Sequence, residues 1–199
     1  MSDKKEIRSM PSALRQAAVV KLEFSNDSLA LTELAGCAIV RVHSLWGTQE
    51  AELPKKVGDA SGAEPGILCI RPGEWLFYSE SGGVQDLLNR ARAKTEAQNS
   101  VVDNLSDGFA VFRLEGKGSP WLLSKLSGLD FLAGRAAGQH CARTRLGHLA
   151  VIIHYHQANH GAFVFDLLVD RSYAKHLWEL LAASAPHADE LAQTLGTAA

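Results

Sequence analysis

Residues 141–183 read CARTRLGHLAVIIHYHQANHGAFVFDLLVDRSYAKHLWELLAA, and their pattern sets the fold class. Val151, Ile152 and Ile153 are β-branched and Tyr155 follows, so Leu149 to His156 is expected as a strand. Asn159, His160 and Gly161 belong to a loop. Ala162 to Val169 is expected as a second strand. Phe163, Phe165, Leu167 and Val169 share one face of it, and Asp166 is the polar residue on the other. Asp170 is suited to cap the helix that follows by accepting from its free N–H groups. Tyr173, Leu177 and Leu180 fall at helical spacing, and Ala174, Trp178 and Leu181 widen that stripe. The stretch is a packing unit of strand, turn, strand and capped helix.

Working outward, the same order recurs earlier. Cys37 to Val42, Ile67 to Ile70 and Trp75 to Tyr78 read as strands, the last two joined by the Arg71-Pro72-Gly73-Glu74 turn. Val84, Leu87, Leu88 and Ala91 then mark an amphipathic helix running to about Ala97. Phe109 to Glu115 is a strand apolar on both faces, hence central in its sheet. Ser119 is expected to cap a helix with Pro120 at its first position, ended by Gly128. Gly73-Glu74-Trp75-Leu76-Phe77 aligns in register with Gly161-Ala162-Phe163-Val164-Phe165, and each is followed by a helix, which points to an internal repeat. The expected class is α+β, with two tandem β-α-β-β-α, ferredoxin-like halves. Residues 1–30 form an arm, 31–98 the first half, 99–184 the second, and 185–199 a tail. The breaker-rich Gly58 to Gly66 loop is expected as an exposed or disordered insertion.

Composition narrows the function classes. Twenty basic and twenty-two acidic residues leave a net charge of −2 over 199 residues, spread along the chain, so no basic field points to nucleic acid. Cys37, Cys69 and Cys141 form no CxxC pair, which reads as reduced thiols in a cytoplasmic protein. No apolar run reaches the length of a membrane span, and residues 1–10 do not resemble a secretory signal.

Little placed chemistry is visible. His154 and His156 leave one strand face and His160 follows, a spacing zinc can use, although the solvent face of a strand accommodates histidine equally well. Glu115-Gly116-Lys117-Gly118-Ser119-Pro120 has the outline of a phosphate loop but is too short for one, and a tight turn explains it. Asp166, alone among apolar neighbours, is the acid to examine for burial and for a backbone or arginine partner. Arg143 and Arg145 share a strand face suited to a carboxylate, a phosphate or a subunit contact. No nucleophile elbow or carboxylate pair is evident.

CARTRLGHLAVIIHYH followed by FVFDLLVDRSYAKHLWELL resembles the C-terminal signature of the gamma subunit family of heterotetrameric sarcosine oxidase. Leu53-Pro54, then Ile70-Arg71-Pro72-Gly73-Glu74-Trp75-Leu76, is similar to that family's L-P … P-x-E-W-L segment. Trp121-Leu122-Leu123 to Gly128-Leu129-Asp130 fits its second-half helix and turn. The likeness spans about residues 31–183. It implies the folate-binding domain fold of aminomethyltransferases and an αβγδ complex that demethylates sarcosine and passes the methyl carbon to tetrahydrofolate. By that resemblance FAD, FMN, NAD and tetrahydrofolate reside in the partner subunits alpha, beta and delta. This chain then binds no cofactor or metal, carries no catalytic residue and supports assembly. Its expected contacts are Arg143, Arg145, Arg171 and Trp178, with the N-terminal arm and the edges around Trp46. Two alternatives stand beside this: the equivalent subunit of an N-methylglutamate-type dehydrogenase, and a stand-alone folate-binding protein. Against the latter, the K-G-C-[FY]-x-G-Q-E signature of one such branch is absent.

Overall fold

Strands rich in Val, Ile, Leu and Phe on both faces need cover on both sides, and the molecule supplies it with two sheets stacked between helices. The computed structural model describes residues 23–25, 29–44, 53–61, 65–95, 99–131, 140–157 and 163–196. Eleven strands are described: β1 (Glu23–Ser25), β2 (Ala30–Glu33), β3 (Ala38–Ser44), β4 (Ala60–Ser61), β5 (Gly66–Arg71), β6 (Glu74–Ser79), β7 (Ser100–Asn104), β8 (Phe109–Glu115), β9 (Cys141–Leu146), β10 (Leu149–Gln157) and β11 (Phe163–Asp170). The helices are α1 (Val84–Ala93), α2 (Ser119–Leu126) and, after a 3-10 turn at Arg171–Tyr173, α3 (Ala174–Gly196). One sheet has the order β1-β2-β8-β11-β10-β9 and the other β4-β5-β6-β3-β7, all pairings antiparallel.

Alternation along the strands sends side chains into three layers of core. Phe112, Leu114, Val151, Ile153, Phe165 and Leu167 face α2 and α3, where Leu122, Leu177, Trp178 and Leu181 meet them. Val40, Val42, Trp75 and Phe77 face Leu87 and Ala91 of α1. Between the sheets lie Ile39, Leu68, Ile70, Leu76 and Tyr78 from one side and Val111, Cys141, Ile152 and Leu168 from the other. The architecture is helix, sheet, sheet, helix.

The α+β class stands, but the simple tandem arrangement is not reproduced. Strand β2, from the first half of the chain, pairs with β8, while β7, which follows α1, pairs with β3. The repeat survives in strand order: β4-β5-β6-β3-β7 corresponds to β9-β10-β11-β8-β2. That places β6 opposite β11 in the correspondence, as the match of 73–77 to 161–165 anticipates, with Gly161 and Ala162 outside the described residues. Among the described residues no helix intervenes between β3 and β5, so the β-α-β-β-α order is not seen in the first half.

Several local expectations also change. Gly118, not Ser119, is the N-cap of α2; Ser119 lies inside the helix with its hydroxyl buried and without a hydrogen-bond partner among the described residues. Tyr173 is 54 % exposed and stands outside the buried stripe of Ala174, Leu177, Trp178 and Leu181. The helix continues past Pro186 to Gly196, through most of the stretch read as a tail. The 58–66 loop is not a free insertion where it is described: Gly58 is buried, its carbonyl accepts from His140 and Cys141 N–H at 3.0 and 2.9 Å, and Ala60–Ser61 pairs with β5. Asp170 caps as expected, accepting from Ser172 N–H at 2.9 Å.

Gly66 illustrates how tightly the sheets are fitted. It pairs with Tyr78, and a Cβ added there would lie 2.5 Å from the Tyr78 ring. Gly66→Ala should therefore push that ring out of place and cost about 1–3 kcal/mol in urea unfolding. Unchanged stability would show the ring to be loosely held.

Candidate functional site

The most concentrated chemistry lies between the sheets. Three register pairings align Cys141, His154, Asp166 and Arg113 in one row across β9, β10, β11 and β8. Because strand neighbours two apart share a face, His156 falls beside His154. From the opposite sheet Tyr78, on β6, reaches into this row.

Asp166 is fully buried and accepts four hydrogen bonds. Arg113 grips both carboxylate oxygens, Nε to Oδ1 and Nη2 to Oδ2, each at 2.8 Å. The Tyr78 hydroxyl donates to Oδ2 at 2.7 Å, and His156 Nε2 lies 2.5 Å from the same oxygen. Tyr78 also sits 2.6 Å from His154 Nδ1; having given its proton to Asp166, it accepts there, which makes His154 the Nδ1–H tautomer. Arg113 extends the network outward to Glu80, just beyond β6. A carboxylate held by a guanidinium fork and two further donors is a closed unit.

Electrostatics follow from that closure. Burial alone would raise the Asp166 pKa, but the hydrogen bonds from His156, Arg113 and Tyr78 outweigh it and hold the carboxyl below its usual range. The bonds to Asp166 raise the Arg113 guanidinium despite burial, and burial followed by the Asp166 charge raises the Tyr78 hydroxyl. Burial, then the neighbouring His156, pushes His154 down to about 3. Cys69 and Cys141 offer no activated thiol: burial raises Cys69, and takes Cys141 to about 12.

The His154 value carries a pH prediction. An unfolded imidazole titrates near 6.5, whereas His154 in the fold protonates near 3. Between those limits the unfolded chain holds a proton the folded chain lacks, so stability falls as pH drops through that window. The slope from this one group is at most about 1.4 kcal/mol per pH unit. Asp166 acts in the same direction at lower pH, its contribution being lost as its depressed carboxyl finally protonates. Denaturation midpoints of His154→Gln should vary less between pH 6.5 and 4.5 than those of the parent; an identical slope would refute the assignment.

The donor atoms of His154, His156 and Asp166 lie within 4.8 Å of one another, the grouping of a metal centre. They do not fit one as they stand. Both Asp166 oxygens are already engaged, and a cation would sit against the Arg113 charge. His160, the third histidine of the sequence pattern, lies outside the described residues. The Gly116–Ser119 turn is likewise occupied, with Gly116 N–H bonded to Phe163 O and Ser119 N–H to Gly116 O.

The contact residues expected from sequence are separated by burial. Arg143 and Arg145 are exposed on β9, and Arg171 is half-buried at the start of the 3-10 turn. Trp178 is 6 % exposed and packs 5.9 Å, centroid to centroid, from Phe112 under α3, a core position in this chain. Trp46 lies outside the described residues. Sequence reading singled out Asp166, His154 and His156 but missed Tyr78 and Arg113, each hidden inside an apolar strand. The two ends of the first-half motif do meet: Trp75 Nε1 donates to Pro54 O at 2.8 Å.

The fold defines a class, a two-sheet α+β domain with helices outside. Within that class it matches a chain of heterotetrameric sarcosine oxidase from Corynebacterium sp. U-96, solved with pyrrole 2-carboxylate. The TM-score is 0.68 at 20 % identity, covering 88 % of this chain and 91 % of that one. It also matches the glycine cleavage system aminomethyltransferase T from Bartonella henselae, with TM-score 0.54, 13 % identity and 77 % of this chain covered. The match takes in only 45 % of the aminomethyltransferase's own length. No family model matches the sequence, and none of the curated proteins compared with it does. No helix among the described residues is long and apolar enough to cross a membrane.

Proposed function

We propose that this chain is a non-catalytic, gamma-type subunit of a heterotetrameric sarcosine oxidase, supporting a complex that demethylates sarcosine and transfers the methyl carbon to tetrahydrofolate. The observation that carries this reading is the end-to-end correspondence with a chain of such an oxidase, 88 % of one and 91 % of the other. The sequence resemblance over about residues 31–183 points the same way. The polar cluster also favours a structural part, because both Asp166 oxygens are engaged by hydrogen bonds from Arg113, Tyr78 and His156. Alpha, beta and delta partner subunits, with FAD, FMN, NAD and folate held among them, belong to this proposal, as does a cytoplasmic location.

Co-expression with the flavin-bearing subunits tests it. The chain should co-purify in stoichiometric amount, and its omission should lower the yield of a complex that consumes oxygen on addition of sarcosine. Oxidation of N-methylglutamate instead would move the chain to the related dehydrogenase. Calorimetric binding of tetrahydrofolate by the chain alone would favour the stand-alone folate-binding reading, which rests on the aminomethyltransferase fold.

A further inference from the structure

A cleft of about 800 Å³ opens beside the β9–β10 hairpin and the start of α3. Its floor is apolar, formed by Phe109, Ile152 and Leu168 where the inter-sheet core reaches the surface. Its rim carries the Arg143 guanidinium, with His148 and His176 also exposed there. Arg143 makes no ion pair among the described residues, and Arg145 stands two positions along on the same strand face. The acid on the wall, Asp170, is exposed and keeps its charge while accepting from the Ser172 N–H and hydroxyl at 2.9 and 2.6 Å. Tyr173, 54 % exposed, overhangs the opening.

We infer that this cleft receives a segment of a partner subunit in which an acidic side chain is flanked by apolar residues, the carboxylate pairing with Arg143. The inference rests on the assembly role proposed above and gives it a location. An arginine fork recognises a carboxylate bidentately, and exposed Tyr and Arg around an apolar floor are the composition of an interface centre. With Arg143 and Arg145 exposed on β9 against the single carboxylate of Asp170, the strand edge beside the cleft carries a net positive charge, so the complementary group is an anion.

The test uses the co-expressed complex. Arg143→Glu should weaken association at least tenfold and Tyr173→Ala severalfold, while both variants keep the parent's melting temperature. Arg92→Glu, the same charge change on the exposed face of α1 in the opposite layer, should leave association within twofold. A photo-crosslinking residue at position 173 should label a partner peptide containing Asp or Glu. If the parent associates and Arg143→Glu does so equally well, the cleft assignment falls and the assembly role stands. Crosslinking to a second copy of this chain also overturns the assignment. If the parent does not associate with the partner subunits, both readings fall together.

Discussion

Asp166→Ala should destabilise the protein by about 3–5 kcal/mol, because it removes one member of a buried ion pair and strands the other. Arg113 would keep only Glu80 at the rim, while the Tyr78 hydroxyl and His156 would lose their shared acceptor. Urea unfolding followed by circular dichroism reads the loss, and a change below about 1 kcal/mol would mean that water enters the cluster and rescues it. The partner experiment sharpens the cause. Replacing both charges together, Asp166→Leu with Arg113→Met, should recover much of the stability, since a packed apolar pair carries no desolvation cost. Failure of the double variant to recover would assign the penalty to lost hydrogen bonds from Tyr78 and His156 rather than to an orphaned charge.

Trp178→Ala should cost about 3–5 kcal/mol, the range for emptying a large aromatic site in a core. The indole fills the layer between α3 and the first sheet, against Phe112 and among Leu177, Leu181 and Val169. The variant should show this loss when isolated, before any partner is added. A stable isolated variant that fails only in assembly would instead return Trp178 to the set of subunit contacts expected from its motif.

Much of the scaffold was legible because short-range pattern encodes it. The strands at 38–44, 66–71, 74–79, 109–115 and 163–170 each carry β-branched or aromatic runs bounded by Gly, Pro or Asp, and the structure keeps them within one or two residues. The cluster was harder, because it is assembled from contacts distant in the chain. Tyr78 and Asp166 are 88 residues apart, and Arg113 and Asp166 are 53 apart. Asp166 stood out as a polar residue in an apolar strand, with a backbone or an arginine partner as the expectation. Nothing local marked Tyr78 as more than a strand aromatic. Its role becomes readable only through the repeat: continuing the match of 73–77 with 161–165 by one residue pairs Tyr78 with Asp166, the two residues that meet between the sheets. The cap at Ser119 failed for a different reason, since Gly118 already occupies the boundary and the next residue is drawn into the helix.

The exchange of strands between the halves bears on how this chain folds as it is made. β2 waits for β8, with Leu31 paired to Leu114, so the first sheet cannot close until more than half the polypeptide has left the ribosome. The second sheet in turn borrows β7 from beyond the midpoint. Such sequence-distant pairing slows the search for the native state and ties both layers into one cooperative transition. A fragment of residues 1–98 should therefore show no cooperative melting, and a folded fragment would contradict this. In the cell, the nascent amino-terminal half would depend on its carboxy-terminal counterpart, and a stalled or truncated product would leave an open sheet edge exposed to aggregation.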